Sequence, residues 1–279
     1  MTKYLRWFNN HSDYEEYING DDVYLPNVSW CDQQEDIHCT NVPFYWTLGY
    51  VTDGMVAMWD AIYNTGTNLH DSSATAWVDL VSGITSATFS NQTFADNYLN
   101  QYKNSLVLFS SGASVLLPTK PYTVEIVSQE ITQSTANNAA SGISLKNEHF
   151  GFFRHANNSI QGPISFRVSN LYCSMDSGLT YSQTYPKATK TFIRKNYTPT
   201  GTGNIKNAFD IYYNGVIKTT QKATMSYGSA TSETDNMFIA AAGADGNGAY
   251  RYYCIRVYNR ALTAAEIMKN YQVDLQRFV

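Results

Sequence analysis

The sequence predicts an all-β sandwich, and three observations predict it. Charged residues make up only 15% of the 279 residues while aromatics reach 14%, with 22 tyrosines; that composition suits short strands and polar turns more than helices. Apolar, β-prone runs recur at short spacing with Gly, Asn, Ser and Pro between them. Helical patterning is confined to two short stretches, one near each end. Many strands and few helices imply two packed antiparallel sheets. β sandwiches run to roughly 250 residues as one unit, and a core of that size holds itself together without disulfides.

The first helical stretch opens on a capping box, Ser12 with Glu15, puts Tyr14, Tyr17 and Ile18 on one face, and stops at Asn19-Gly20. Val23 to Trp30 is apolar and β-prone but broken by Pro26. A polar hairpin candidate then runs to His38 and Cys39, and Pro43 closes a small module over residues 1–46. From residue 47 to 279 the strand pattern takes over. An opening strand lies within 53–60, a polar loop spans 64–73, and further strands are expected at 105–109, 114–117, 122–131, 143–145, 150–155, 164–168, 190–195, 209–213, 237–241 and 251–257. Asn214-Gly215 after Ile211-Tyr-Tyr marks the clearest hairpin, because Asn-Gly supplies the positive φ of a type I′ turn. The last helix starts at a second capping box, Thr263 with Glu266.

Net charge is −4, unevenly spread. Residues 1–45 carry eight acids against Lys3 and Arg6, and the rest of the chain is slightly basic. Neither part has the clustered basic face of a nucleic-acid binder. No run approaches the roughly 18 apolar residues of a membrane span. The opening Met-Thr-Lys-Tyr-Leu-Arg-Trp-Phe has no apolar run, so no cleaved signal and no membrane partner are expected. Four cysteines occur; Cys31 and Cys39 are close enough in sequence to bridge a hairpin or to stay free, and zinc-type pairing is missing.

Two resemblances follow from these residues. Arg256-Val-Tyr-Asn-Arg-Ala-Leu-Thr263, with Glu266-Ile267 beyond it, resembles the closing signature of laminin-G-like, concanavalin A-like jelly rolls. Asp53-Gly-Met-Val-Ala-Met-Trp-Asp60 and Trp77-Val-Asp-Leu80 resemble that family's opening elements, and Tyr212-Tyr-Asn-Gly215 its hairpin. The resemblance implies a jelly roll with Trp59 and Trp77 in the core; it leaves function open, since this fold hosts lectins, hydrolases, adhesins and virion proteins. Separately, residues 3–43 (Tyr4-Leu-Arg-x-Phe8, His11-Ser12, Tyr14-Glu15, Leu25-Pro-Asn-Val-Ser29, Asp36-Ile-His-Cys39) resemble an N-terminal segment of virion proteins from tailed phages of gut Bacteroidales, crAss-like phages included. That resemblance implies an attachment or assembly module and a homo-oligomer, often a trimer.

Catalytic patterns are sparse. A glycosidase needs two carboxyls about 5 to 9.5 Å apart, and Glu125 and Glu130 would face opposite sides of a regular strand. Glu233 and Asp235 sit in a loop-like stretch, the five histidines are scattered, and no G-x-S-x-G elbow occurs. Calcium needs about six to eight oxygens; Asp245 and Asn247 could supply two of them, as could Asp60 or Asp71 near the polar loop, and a hydrated turn is the simpler reading. For glycans, Tyr172, Tyr181, Tyr185, Tyr197, Tyr227 and Tyr250 are stacking candidates, although tyrosine is common on strands anyway. Trp7, Phe8, Tyr14, Tyr17 and Trp30 are many large aromatics for so small a module; they either dock on the jelly roll or fill a partner's groove as anchors, and the virion resemblance favours the partner. The expectation is a non-enzymatic virion protein, made in the host bacterial cytoplasm. It would be a head fibre, capsid decoration or tail appendage, held to other virion proteins by residues 1–46, with glycans as a further ligand. A bacterial glycan-binding adhesin and a glycoside hydrolase are the competing readings.

Overall fold

A computed structural model describes residues 44–66, 69–86, 92–102, 106–108, 120–132, 140–145, 148–153, 165–168, 171–174, 187–195, 202–204, 209–218, 224–226, 237–242 and 249–278. The fold is an all-β jelly roll with one C-terminal helix. The strands are β1 (Met55–Asp60), β2 (Thr93–Ala95), β3 (Tyr98–Tyr102), β4 (Leu106–Leu108), β5 (Tyr122–Thr132), β6 (Ala140–Leu145), β7 (Glu148–Phe153), β8 (Ser165–Val168), β9 (Leu171–Ser174), β10 (Ala188–Arg194), β11 (Thr202–Asn204), β12 (Phe209–Tyr213), β13 (Val216–Lys218), β14 (Thr224–Ser226), β15 (Met237–Ala242) and β16 (Ala249–Tyr258). Helix α1 spans Ala264–Arg277.

Every described pairing is antiparallel. One large sheet runs β13-β12-β10-β5-β16-β3-β2, and a second runs β4-β15-β6-β7-β8-β9. β16 is the keystone of the first sheet. Along one side its early residues pair with β3 and its late residues with β1, while β5 lines the other side. A register shift between Tyr252 and Cys254 breaks the β16–β5 ladder, as a β-bulge does.

Alternation gives the first sheet two chemically distinct faces. Val124, Ile126, Phe192, Ile211, Ile255, Val257 and Trp59 all point to the inner face and are almost wholly buried. The outer face carries Thr123, Glu125, Val127, Thr189, Thr191, Cys254, Arg256 and Tyr258. Helix α1 and residues 45–51 cover that second set, adding Tyr50, Val51, Leu262, Ile267 and Phe278 to an apolar cluster with Met58, Val127 and Ile193.

Local signals explain the ends of these elements. The Thr263 hydroxyl accepts from the Glu266 N–H while the Glu266 carboxylate accepts from the Thr263 N–H, so the expected capping box is present. Asn214 and Gly215 both hold positive φ, +50° and +74°, as the type I′ reading requires. Trp59 and Trp77 are fully buried; the Trp77 indole N–H donates to the Asp60 carbonyl. No described helix is long and apolar enough to cross a membrane. The strand expected at 114–117 and the elements expected over residues 1–43, Cys31 and Cys39 included, fall outside the described residues.

Candidate functional site

Elementary electrostatics would keep charges off a buried sheet face, because an unpaired buried ion is costly. Here the outer face buries several, and each is answered. The Arg256 guanidinium, fully buried, donates from Nε to Glu125 Oε2 at 2.9 Å and from Nη1 and Nη2 to the two Asp274 oxygens at 2.7 and 2.8 Å. It also lies 4.0 Å from the Tyr50 ring centroid. Neutral donors share the two acids: Thr191 and Asn270 donate to Glu125, and Tyr50 and Thr189 donate to Asp274. Asn270 uses its oxygen to accept the Val51 N–H, 219 residues away in sequence.

The network joins β5, β10, β16, α1 and the 45–51 segment at one point. Burial pushes the Glu125 carboxyl upward, with Arg256 the main opposing influence. Burial also drives the Cys254 thiol far above its ordinary range, so it is a poor nucleophile. A second pair sits beside it: Arg277 Nη1 lies 2.6 Å from Asp60 Oδ2. Burial raises the Asp60 carboxyl, with Arg277 opposing. Sealed and neutralised in this way, these carboxylates hold α1 to the sheet.

Past the C-terminal end of α1 the same face is more open. Lys187, Gln129, Arg251, Asn100 and Tyr98 are half-buried there, with the buried Tyr253 between them.

Several sequence candidates land elsewhere. Tyr250 is only 5% exposed, so it is corrected from a stacking candidate to a packed residue, beside Tyr252 on the inner face. The weak calcium donors Asp60 and Asp71 are not brought together: Asp60 pairs with Arg277, and Asp71 accepts from the Ser73 N–H and hydroxyl. Those bonds hold the Asp71 carboxyl below its usual range. Among the described residues no cluster of three metal-ligating side chains forms. Asp245, Asn247, Trp7, Phe8, Tyr14, Tyr17, Trp30, Tyr181, Tyr185, Tyr197 and Tyr227 lie outside the described residues, and Tyr172 is placed only as a member of β9.

No protein-family model matches the chain, and no curated protein matches it. Solved structures do. Trypanosoma rangeli sialidase in complex with 2,3-difluorosialic acid aligns with a TM-score of 0.54 at 12% identity, over 81% of this chain and 33% of that one. A second structure of Trypanosoma rangeli sialidase gives 0.53 at 12% identity with the same coverage. The binding domain of botulinum neurotoxin serotype D gives 0.48 at 13% identity, over 79% of this chain and 52% of that one. The chain thus spans about a third of the sialidase chains it matches. The sialidase alignments place it in a class, the β-sandwich jelly rolls.

Proposed function

We propose that the chain is a non-enzymatic accessory protein of a tailed-phage virion, anchored through residues 1–46 and presenting its jelly roll outward to bind glycans of the host or its mucosal surroundings. The virion part is supported by the resemblance of residues 3–43. The binding part is supported by how the sheet spends its charges. Asp60, Asp79, Glu125 and Asp274, the carboxylates buried among the described residues, are held by cations or by backbone and side-chain donors. The open end of the same face offers tyrosine rings, amides and cations instead, which is what saccharide recognition uses. The sialidase likeness reaches the fold and goes no further at 12% identity.

Truncation tests the anchor. A chain lacking residues 1–43, which keeps the 45–51 segment packed on the sheet, is expected to stay folded and to be missing from purified particles that incorporate the full chain. Mass spectrometry finding the shortened chain at full occupancy on particles would overturn the anchoring role.

A further inference from the structure

Four polar side chains stand in a line across four adjacent strands on the outer face of the first sheet. Arg251 of β16 is opposite Gln129 of β5 on one side and Asn100 of β3 on the other. Lys187 immediately precedes β10, whose Ala188 pairs with Ser128, so it extends the line by one more strand. At about 4.8 Å per strand the line is about 14 Å long, enough for a short oligosaccharide.

Two tyrosines flank it. The Tyr98 and Tyr253 rings are 5.6 Å apart between centroids. The Arg251 guanidinium sits 4.4 Å from the Tyr98 centroid, and Lys187 Nζ sits 5.0 Å from the Tyr253 centroid. The Tyr253 hydroxyl donates to Gln129 Oε1 at 3.2 Å.

Two observations set this line apart from ordinary sheet surface. First, its cations lack anions. Of the half-buried cations among the described residues, Lys195, Arg260 and Arg277 each pair with a carboxylate, and Lys187 and Arg251 pair with none. Arg251 Nε is shut off from solvent without an acceptor. Partial burial holds the Lys187 ammonium below the usual lysine range, with no anion opposing it. Second, the backbone is irregular here. Strict alternation from Arg256 and Cys254 would send Arg251 to the inner face. The bulge at Tyr253 reverses the phase and brings Arg251 out beside Gln129; bulges re-aim side chains in this way next to functional sites.

We propose that this line binds an acidic saccharide, whose carboxylate or sulfate sits between Lys187 and Arg251 and whose rings lie against Tyr98 and along Gln129 and Asn100. Guanidinium forks carboxylate or sulfate oxygens, side-chain amides bond sugar hydroxyls, and tyrosine rings take the apolar faces of the sugar. The inference rests on the glycan-binding reading above and adds the ligand class and the site.

Isothermal titration of the full chain tests it. Probes are 3′-sialyllactose and tetragalacturonate for the carboxylate, a heparin tetrasaccharide for the sulfate, and lactose and cellotetraose as neutral controls. At least one acidic probe is expected to bind ten times more tightly than the neutral ones, with affinity falling as salt rises. Lys187→Gln with Arg251→Gln is expected to abolish that preference at unchanged melting temperature. Lys187→Gln alone, at a half-exposed position ahead of β10, should weaken acidic probes at least threefold and leaves a folded control if the double variant is unstable. Acidic probes that bind no better than neutral ones, or variants that bind as the parent does, would overturn the site. If neutral saccharides bind regardless of both substitutions, glycan binding stands and this site falls. If no saccharide of either class binds, both fall.

Discussion

Replacing Arg256 with methionine should be among the most damaging single changes in the described part of the molecule. The side chain is fully buried and makes three charge-assisted hydrogen bonds, at 2.9, 2.7 and 2.8 Å, to Glu125 and Asp274. Methionine keeps much of the volume but leaves two buried carboxylates with only neutral donors. Breaking a buried pair by removing one partner costs about 3–5 kcal/mol. At about 2–4 °C per kcal/mol for a chain of this size, the melting temperature should fall by roughly 6–20 °C. The pH dependence should change too. Burial already raises Glu125 above its ordinary 4.5, and losing Arg256 raises it further. The folded variant then binds more protons than its unfolded chain, so it gains stability as pH falls from neutral towards about 4.5 and loses it again as pH rises. Removing the charges as well, Arg256→Met with Glu125→Gln and Asp274→Asn, should recover part of the loss, since the amide oxygens can still accept from the neighbouring hydroxyls and amide and no unpaired buried charge remains. Thermal and urea unfolding from pH 4 to 8 read all of this. A single variant costing less than about 1 kcal/mol, or a triple variant no more stable than the single one, would refute the view that Arg256 neutralises two sealed acids.

Two further outcomes are accessible to the same assays. Gly215→Ala forces an L-residue to φ +74° and brings its Cβ within 2.9 Å of Met268 Cε; the methionine tip can move, so the expected cost of about 1–2 kcal/mol comes from the backbone, and urea unfolding showing no change would count against the turn. Glu266 is held by Arg260 and by the Thr263 cap, which lower its carboxyl to about 2. Its stabilisation is therefore complete above about 4.5 and disappears as pH falls towards 2, so Glu266→Gln should remove that part of the acid limb. An NMR titration midpoint for Glu266 near 4.5 would contradict the pairing.

What the sequence made legible was local. The α1 capping box depends on residues three apart, and the Asn214-Gly215 turn on two neighbours, so both were readable from one chain. Long apolar strands such as β5, β10, β12 and β16 were readable within a residue or two of their ends. The short or polar ones were not: Thr93–Ala95, Tyr98–Tyr102, Leu171–Ser174, Thr202–Asn204 and Thr224–Ser226 offer little apolar alternation, and pairing partners decide their state. The buried network was invisible because its bonds join residues 131 and 145 positions apart. One clue was present. Arg256 interrupts an apolar run between Ile255 and Val257, and α1 buries Asn270 and Asp274 on the same side as Ile267. A polar face on both a strand and the closing helix points to polar partners between them. Tyr250 misled for the opposite reason, since the phase of β16 changes partway along.

That change of phase ties the lock and the proposed site together. Upstream of the bulge, Arg251 reaches the outer face beyond Phe278; downstream of it, Cys254, Arg256 and Tyr258 lie on the same face beneath α1. Tyr253, the residue between, makes tilted ring contacts with both Phe278 and Tyr98, at 5.7 and 5.6 Å between centroids. A regular strand would have sent Arg251 into the inner face among Leu99, Ile126 and Ile255, where an unpaired guanidinium is costly. The inserted residue therefore lets one strand put an arginine to each of two uses: one sealed against two carboxylates to fasten the helix, one left without an anion at the helix's end. Fastening comes first in this arrangement, because the ring that positions Lys187 is itself packed against the last residues of the helical segment.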